Sequence, residues 1–477
     1  MFGVARALQG DNEAAEELLR KARALKPNAA DILTDLGSVL ILRQKHGEAA
    51  DVLEKARRRG PESQLAMFYH GVALTNLNRL DEALPIFETL VSRDPQNVAY
   101  AQNRATVLGK LARFDEADIA VDALLRKQPS MTEALLVKSV VALNRANFDE
   151  AIAILDRILA SAPGPSEAMH NRAHVRLLIG QMEQGWRDYE ARWAKIGPKP
   201  AVVKLAEWNG EPLGGRSILV HCEQGLGDAM QFCRYARILR EQGADVTLVA
   251  PPRLHAILRT LSSDIRIAGE APRAQGFDFQ IPLMSLPLKM KTTVENIPAW
   301  TSYLSADPER VLAWKRKLAA AEGFRIGISW QGNPASPADQ GRSVPLRFFE
   351  PLSRQPSVRL ISLQAMVGTE QLKSLPAGMH VETLDELDKG PDAFADTSAV
   401  MTNLDLVITS DTAVAHLAGA LGRPTWVPLK RVPDWRWLLD RADSPWYPTM
   451  KLYRQEHAGD WAPAFARMAA DLEGLLR

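Results

Sequence analysis

Residues 64–97 read QLAMFYHGVALTNLNRLDEALPIFETLVSRDPQN, and this stretch decides the fold of the first half of the chain. Its Pro95 has counterparts at Pro27, Pro61, Pro129 and Pro163, a constant step of 34 residues. Small residues fall into the same register, Gly71 with Gly37, Ala105, Ser139 and Ala173, and Ala83 with Ala49, Ala117 and Ala151. Two helices cross closely only where side chains are small, and proline, lacking an amide hydrogen and locked in φ, ends a helix. Each unit is therefore a helix-turn-helix, and its repetition makes a helical solenoid. The pairs Asp81-Glu82, Asp115-Glu116 and Asp149-Glu150 put acids where the second helix of a unit begins. There they are expected to accept free amide hydrogens and to favour the helix dipole.

The bulk numbers are those of a soluble globular protein: 477 residues, 46% hydrophobic and 24% charged, long enough for two or three domains. A net charge of +1 and the lack of any long Lys/Arg block argue against a nucleic-acid partner. Cys222 and Cys233 are too few for a disulfide framework and are expected to be buried free thiols in a reducing compartment. No run reaches the roughly 20 apolar residues that span a bilayer, and the amino terminus carries acids where a signal peptide would be basic and then apolar. The expectation is a cytoplasmic protein with no transmembrane segment.

Between Lys195 and Gly215 the helical pattern gives way to Gly197, Pro198, Pro200, Gly210, Pro212, Gly214 and Gly215, the composition of a linker. Beyond it short apolar runs, Ser217 to His221, Val246 to Ala250, Arg325 to Trp330, Val358 to Leu363, Leu406 to Thr409 and Thr425 to Leu429, alternate with amphipathic stretches. That alternation predicts parallel strands joined by crossover helices. The expected organisation is a solenoid over 1–199, a linker over 200–215, an α/β lobe over 216–304, a connecting helix over 305–323 and a second α/β lobe over 324–477.

Two strand-to-helix junctions carry most of the chemistry. The first, Glu223-Gln224-Gly225-Leu226-Gly227-Asp228, is unlike a dinucleotide fingerprint, because Met230 replaces the third glycine and Asp228 sets a carboxylate where a pyrophosphate needs positive potential. Gly225 and Gly227 would instead let the backbone pass close to a ligand. Asp228, ionised at a helix amino terminus, would either take a proton from an attacking group or only cap its helix. At the second junction, Asp411-Thr412-Ala413 opens a helix whose free amides, with the Thr412 hydroxyl, form an anion pocket. His416, one turn on, shares that face or is a core residue, and Asp411 orients the set or caps the helix. Gly332-Asn333 with Arg342 and Ser343 would add a further phosphate contact, unless Arg342 is only a solvated loop charge. A cleft between the two lobes is the inferred site, and the absence of a D-x-D pair points away from a metal.

The first half resembles the tetratricopeptide repeat family, in units of about 30–63, 64–97, 98–131, 132–165 and 166–199, after a shortened first unit over 1–29. The last unit, with Gly185-Trp186, Tyr189 and Trp193, is degenerate in the manner of a repeat that docks on something else. From about Ser217 to Leu476 the chain resembles the bacterial heptosyltransferase-like glycosyltransferases, two Rossmann-like lobes of GT-B architecture. The carriers are Gly227-Asp228, the segment Asp411 to Ala418, which has Ala413 where that family favours glycine, and Arg342, followed here by Ser343-Val344-Pro345 without the tryptophan of the family's Trp-Pro pair. The fusion, with W-x-G-N-P and Pro433-Asp434-Trp435-Arg436-Trp437, is similar to repeat-containing bacterial glycosyltransferases.

That resemblance implies a metal-independent enzyme without a cofactor. Asp228 would be the base, Gln224, Gly225 and Gly227 would form the acceptor-side loop, and Gly332, Asn333, Arg342, Ser343, Asp411, Thr412, Ala413 and His416 would hold a nucleotide-sugar. The repeats would grip a protein acceptor, flagellin in some such fusions. An envelope-glycan acceptor and a non-catalytic adaptor remain the alternatives. Trp435, Trp437, Trp446 and Tyr447 are expected mostly in the core, with sugar stacking as the other use.

Overall fold

The computed structural model describes residues 7, 10–164, 166–197, 205–270, 276–319, 321–334, 336, 339–355, 357–365 and 367–477. The chain divides into two compact units, Met1–Pro163 and Gly164–Arg477.

In the first unit helices run α1 (Asn12–Leu25), α2 (Ala30–Leu42), α3 (His46–Arg59), α4 (Gln64–Asn76), α5 (Leu80–Arg93), α6 (Val98–Lys110), α7 (Phe114–Lys127), α8 (Thr132–Asn144) and α9 (Phe148–Ser161). Each packs on the next, and the small-residue columns lie at the crossings. A Cβ on Gly71 would come within 2.7 Å of the Phe87 ring, and Gly37 faces Leu53 in the same way. Each proline follows two residues after a second helix ends, as at Arg93 and Pro95. The cut-short first helix expected in the unit over 1–29 lies largely outside the described residues.

The acids at the second-helix starts do not accept amide hydrogens. No side chain caps α5, α7 or α9; Glu82 instead pairs with Arg79 at 2.7 Å and Glu116 with Arg113 at 2.6 Å. Their third-residue position lets a long carboxylate fold back onto the preceding side chain, so only the dipole contribution remains. Side-chain caps come elsewhere from the residue just before a helix: Asp11 accepts from Ala14 at 3.1 Å at α1, Ser63 from Ala66 at 3.2 Å at α4 and Asn97 from Tyr100 at 3.3 Å at α6.

The second unit begins with α10 (Glu167–Leu178) and α11 (Met182–Tyr189), the helix pair expected to end the solenoid. Two parallel five-stranded sheets follow. The first has the order β1-β5-β2-β3-β4, from β1 (Ala206–Glu207), β2 (Ser217–His221), β3 (Asp245–Val249), β4 (Arg266–Ala268) and β5 (Phe279–Pro282). The second has the order β10-β9-β8-β6-β7, from β6 (Phe324–Ser329), β7 (Val358–Ser362), β8 (Leu406–Thr409), β9 (Thr425–Leu429) and β10 (Met450–Arg454). Longer helices are α12 (Leu226–Glu241), α13 (Pro308–Leu318), α14 (Ala395–Thr402), α15 (Ala413–Ala420) and α16 (Ala462–Leu476). α13 lies in the chain between the two sheets, where a connecting helix is expected, with Asp307 as its cap.

The stretch 205–215 is more than a linker. Its β1 pairs with β5 at the sheet edge, and Trp208 is buried with its indole N–H donating to the Glu211 carbonyl at 2.8 Å. Pro198 and Pro200 lie outside the described residues. The helix pair α10–α11 is tied into the α/β core as its degenerate sequence anticipates. Buried Trp186 donates to the Thr292 carbonyl at 3.1 Å and meets Trp435 edge-on at 5.2 Å between ring centroids.

Candidate functional site

In the second sheet the chain leaves β6 for β7 on one side and returns to β8 on the other. Loops leaving the carboxyl ends of neighbouring β6 and β8 therefore diverge, the arrangement that opens a ligand crevice in parallel sheets. The turn after β9 completes its rim.

In the loop after β6, Ser343 Oγ donates to the Asp339 carboxylate at 2.8 Å and accepts from the Gly332 amide at 3.0 Å. Gly332 and Ser343 thus brace a buried acid, and Asn333 is exposed beside them. A Cβ on Gly332 would lie 3.3 Å from the Arg342 guanidinium and closer still to Asp339, so the glycine is a packing requirement. Arg342 is held only loosely, its Nε 3.8 Å from Asp339.

The start of α15 is open. Thr412 is the N-cap in extended conformation, φ −139°, and no side chain caps the helix. Asp411 does not perform the capping that the sequence allowed. The Ala415 amide closes back on the Thr412 carbonyl at 3.0 Å, while the buried Ser410 and Thr412 hydroxyl oxygens have no hydrogen-bond partner among the described residues. Positive dipole, free amides and unpartnered hydroxyls together make a seat for an anion.

Charges around this seat are mixed. Lys430, just past β9, lies among Asp411, Asp434, Arg342 and Asp339, and burial lowers its ammonium below the ordinary range. Burial, with the neighbouring Asp434 charge, pushes the Asp411 carboxyl up. Burial also penalises the Asp434 charge, but Arg436 more than offsets it and holds that carboxyl below its usual range.

His416 does not offer a cation to a ligand. Its Nδ1 is hydrogen-bonded to Tyr447 Oη at 2.9 Å and its ring stacks on Trp437 at 5.7 Å and 11°. Burial first, then the Arg436 charge, lower its pKa to about 3, so the imidazole is neutral at ordinary pH. Trp435, Trp437, Trp446 and Tyr447 are all buried, so core packing is their main use.

The first junction meets the second directly. α12 and α15 pack together, and a Cβ on Gly227 would stand 2.8 Å from His416 Cδ2 and 3.3 Å from Ala413 Cα. Gly227 therefore serves the close approach of two helices. Asp228, the third residue of α12, accepts the Gly225 amide on Oδ2 at 2.9 Å and is ion-paired through Oδ1 with Arg436 Nη2. Asp228 thus caps its helix through Oδ2, while Oδ1 is taken by Arg436. Gln224 has φ 102°, a strained value for a residue with a side chain, and its amide bonds Tyr189 Oη at 3.2 Å.

The first sheet has its own switch point between β2 and β5, and there the chain itself fills the crevice. Fully buried Arg192, just after α11, donates to Glu223 at 3.0 Å, to Ser285 Oγ at 2.7 Å and to Glu190 at 2.7 Å. Burial pushes Glu223 up to about 7 although Arg192 opposes it. Of the two switch points, the one in the second sheet holds the uncapped helix start and the unpartnered hydroxyls.

Sequence reasoning missed Lys430, Asp339 and the polar members of the turn after β9, Asp434 and Arg436. The last two lie inside the quoted Pro433 to Trp437 segment, where only the aromatic residues had been weighed. A Lys one residue past an apolar strand was the available signal for Lys430. Among the described residues no cluster of three or more His, Cys, Asp or Glu is placed to hold a metal, and no helix is long and apolar enough to cross a membrane.

A tetratricopeptide repeat family model matches residues 1–63, 36–98 and 103–166, so the helical half carries tetratricopeptide repeats. Protein FlbA of Caulobacter vibrioides is 27% identical over 325 residues, covering 63% of this chain and 54% of that protein. The match thus spans about half the length of that relative. Among solved structures, YrrB, a TPR protein with an unusual peptide-binding site, has a TM-score of 0.30 at 24% identity over 34% of this chain and 84% of its own. A tetratricopeptide repeat protein from Parabacteroides merdae has a TM-score of 0.35 at 21% identity over 42% of this chain and 78% of its own.

Proposed function

We propose that the chain is a metal-independent glycosyltransferase of GT-B type, moving a sugar from a nucleotide-sugar to a protein acceptor recruited by its tetratricopeptide repeats, flagellin being one such acceptor. The observation that carries this reading is the close contact of Gly227 with Ala413 and His416, which brings Asp228 beside the open amino end of α15. In this reading the diphosphate of the donor sits on the first amides of α15, with Ser410 and Thr412 hydroxyls, Arg342 and Lys430 around it. Fixed positive potential there stabilises the departing nucleotide. Asp228 takes the proton of the attacking acceptor group, and neutral His416 holds the helix start against Tyr447 and Trp437.

A ligand that binds only the folded state raises its melting temperature, so a thermal-shift screen of nucleotide-sugars on the full chain tests the donor half. One nucleotide class is expected to raise the melting temperature, with the shift lost in Arg342→Ala and Lys430→Ala and kept in Asp228→Asn. A shift from none of the panel, or one indifferent to Arg342 and Lys430, counts against the reading.

A further inference from the structure

The Arg436 guanidinium joins both sides of the crevice. Its Nε donates to Gln231 Oε1 of α12 at 2.7 Å, its Nη1 to Asp434 Oδ1 at 2.8 Å, and its Nη2 is ion-paired with Asp228. The group is buried and its face lies 4.2 Å from the Trp435 ring centre. Two of its three nitrogens are thus fixed by partners other than Asp228, Gln231 on α12 and Asp434 in the turn after β9. The third holds the acid that would act as base. Asp228 in turn is fixed by the Gly225 amide through its other oxygen. Breaking the one contact between Nη2 and Asp228 therefore moves neither backbone. The open start of α15 adjoins this pair through Gly227.

We propose that Arg436 is a positioning residue that exchanges Asp228 for the phosphates of an anion seated at the start of α15. This rests on the reading of that crevice as a diphosphate site. Before the anion arrives, Nη2 occupies the Asp228 oxygen and keeps it from accepting a proton. When the anion arrives, a phosphate oxygen replaces the Asp228 oxygen at Nη2, the carboxylate rotating away on its own side-chain bonds while Gln231 and Asp434 keep the planar guanidinium in place. Asp228 is then free to receive the acceptor's proton only when the donor is in place.

Calorimetric binding of inorganic pyrophosphate to the full chain, its Asp228→Asn, Arg436→Ala and Arg436→Lys variants, and the Asp228→Asn/Arg436→Ala double variant tests the exchange. Asp228→Asn, which releases Nη2, is expected to bind on the order of tenfold tighter, Arg436→Ala correspondingly weaker, and Arg436→Lys in between, within the usual span of coupling between linked sites. The gain from Asp228→Asn should vanish in the Arg436→Ala background. A gain of full size in the double variant would be simple removal of a negative charge, and it overturns the exchange while leaving the diphosphate site standing. No gain in Asp228→Asn, with wild-type binding intact, overturns it equally. Pyrophosphate bound by neither the wild type nor Asp228→Asn overturns both the exchange and the reading beneath it. Melting curves accompany each variant, and if Arg436→Ala does not fold, Arg436→Lys carries the same cycle.

Discussion

At the scale of single residues, the crevice is governed by what burial does to charge. Asp411 is buried beside another carboxylate, so its folded form binds a proton more tightly than its unfolded form. Folding stability is then lost as pH rises from the ordinary carboxylate value through the raised folded one, and the penalty is complete above it. Asp411→Asn mimics the neutral acid, and the melting-temperature gain it gives should be larger at pH 8 than at pH 5. Equal gains would show that Asp411 is not the group titrating. Gly227→Ala tests the meeting of the two junctions: its methyl would press on His416 and Ala413, at a cost of about 1–3 kcal/mol for overpacking, read by chemical denaturation. The sequence located both junctions, because a strand, a turn and a helix start are local signals. It could not pair Asp228 with Arg436, which stands 208 residues away, nor His416 with Tyr447, since such contacts exist only once the sheets have packed.

At the scale of elements, the turns inside the repeats hold a further 34-residue column beside those of the prolines and the small residues. Gln44, Asn78, Ala112 and Ala146 have φ between 58° and 64°, and Gly10 and Gly180 at 83° occupy the same place in their units. A side chain in this left-handed region costs roughly 1–2 kcal/mol, partly offset by the freedom that glycine returns to the unfolded chain. Ala112→Gly should therefore stabilise the protein by up to about 1 kcal/mol in urea unfolding, and destabilisation would contradict the account. The turn was not legible because Gln, Ala and Asn share no turn chemistry; only spacing unites them. Strands were legible where buried positions run almost unbroken, so β2, β8 and β9 match their expected limits. β1 is two residues long and β10 carries Lys451 and Arg454, which leaves them little apolar pattern to find.

At the scale of the whole molecule, composition and packing divide the chain at different places. Glycine and proline mark 200–215, whereas the second compact unit begins at Gly164. The reason lies in Trp186 and Arg192, both buried against residues of the α/β region. A fragment of residues 164–477 should melt cooperatively. A fragment of 205–477 should not, because it uncovers Trp435 and leaves Glu223 buried without its cation. Circular dichroism of the two fragments distinguishes them, and a stable 205–477 would place the boundary where composition does. The account as a whole rests on Asp228 and the start of α15 acting on one ligand. Its most direct test is release or transfer of labelled sugar from the nucleotide-sugar that the full chain binds, compared between wild type and Asp228→Asn. Turnover by the wild type, abolished in a variant that still binds the donor, is the predicted result; undiminished turnover in Asp228→Asn would contradict it.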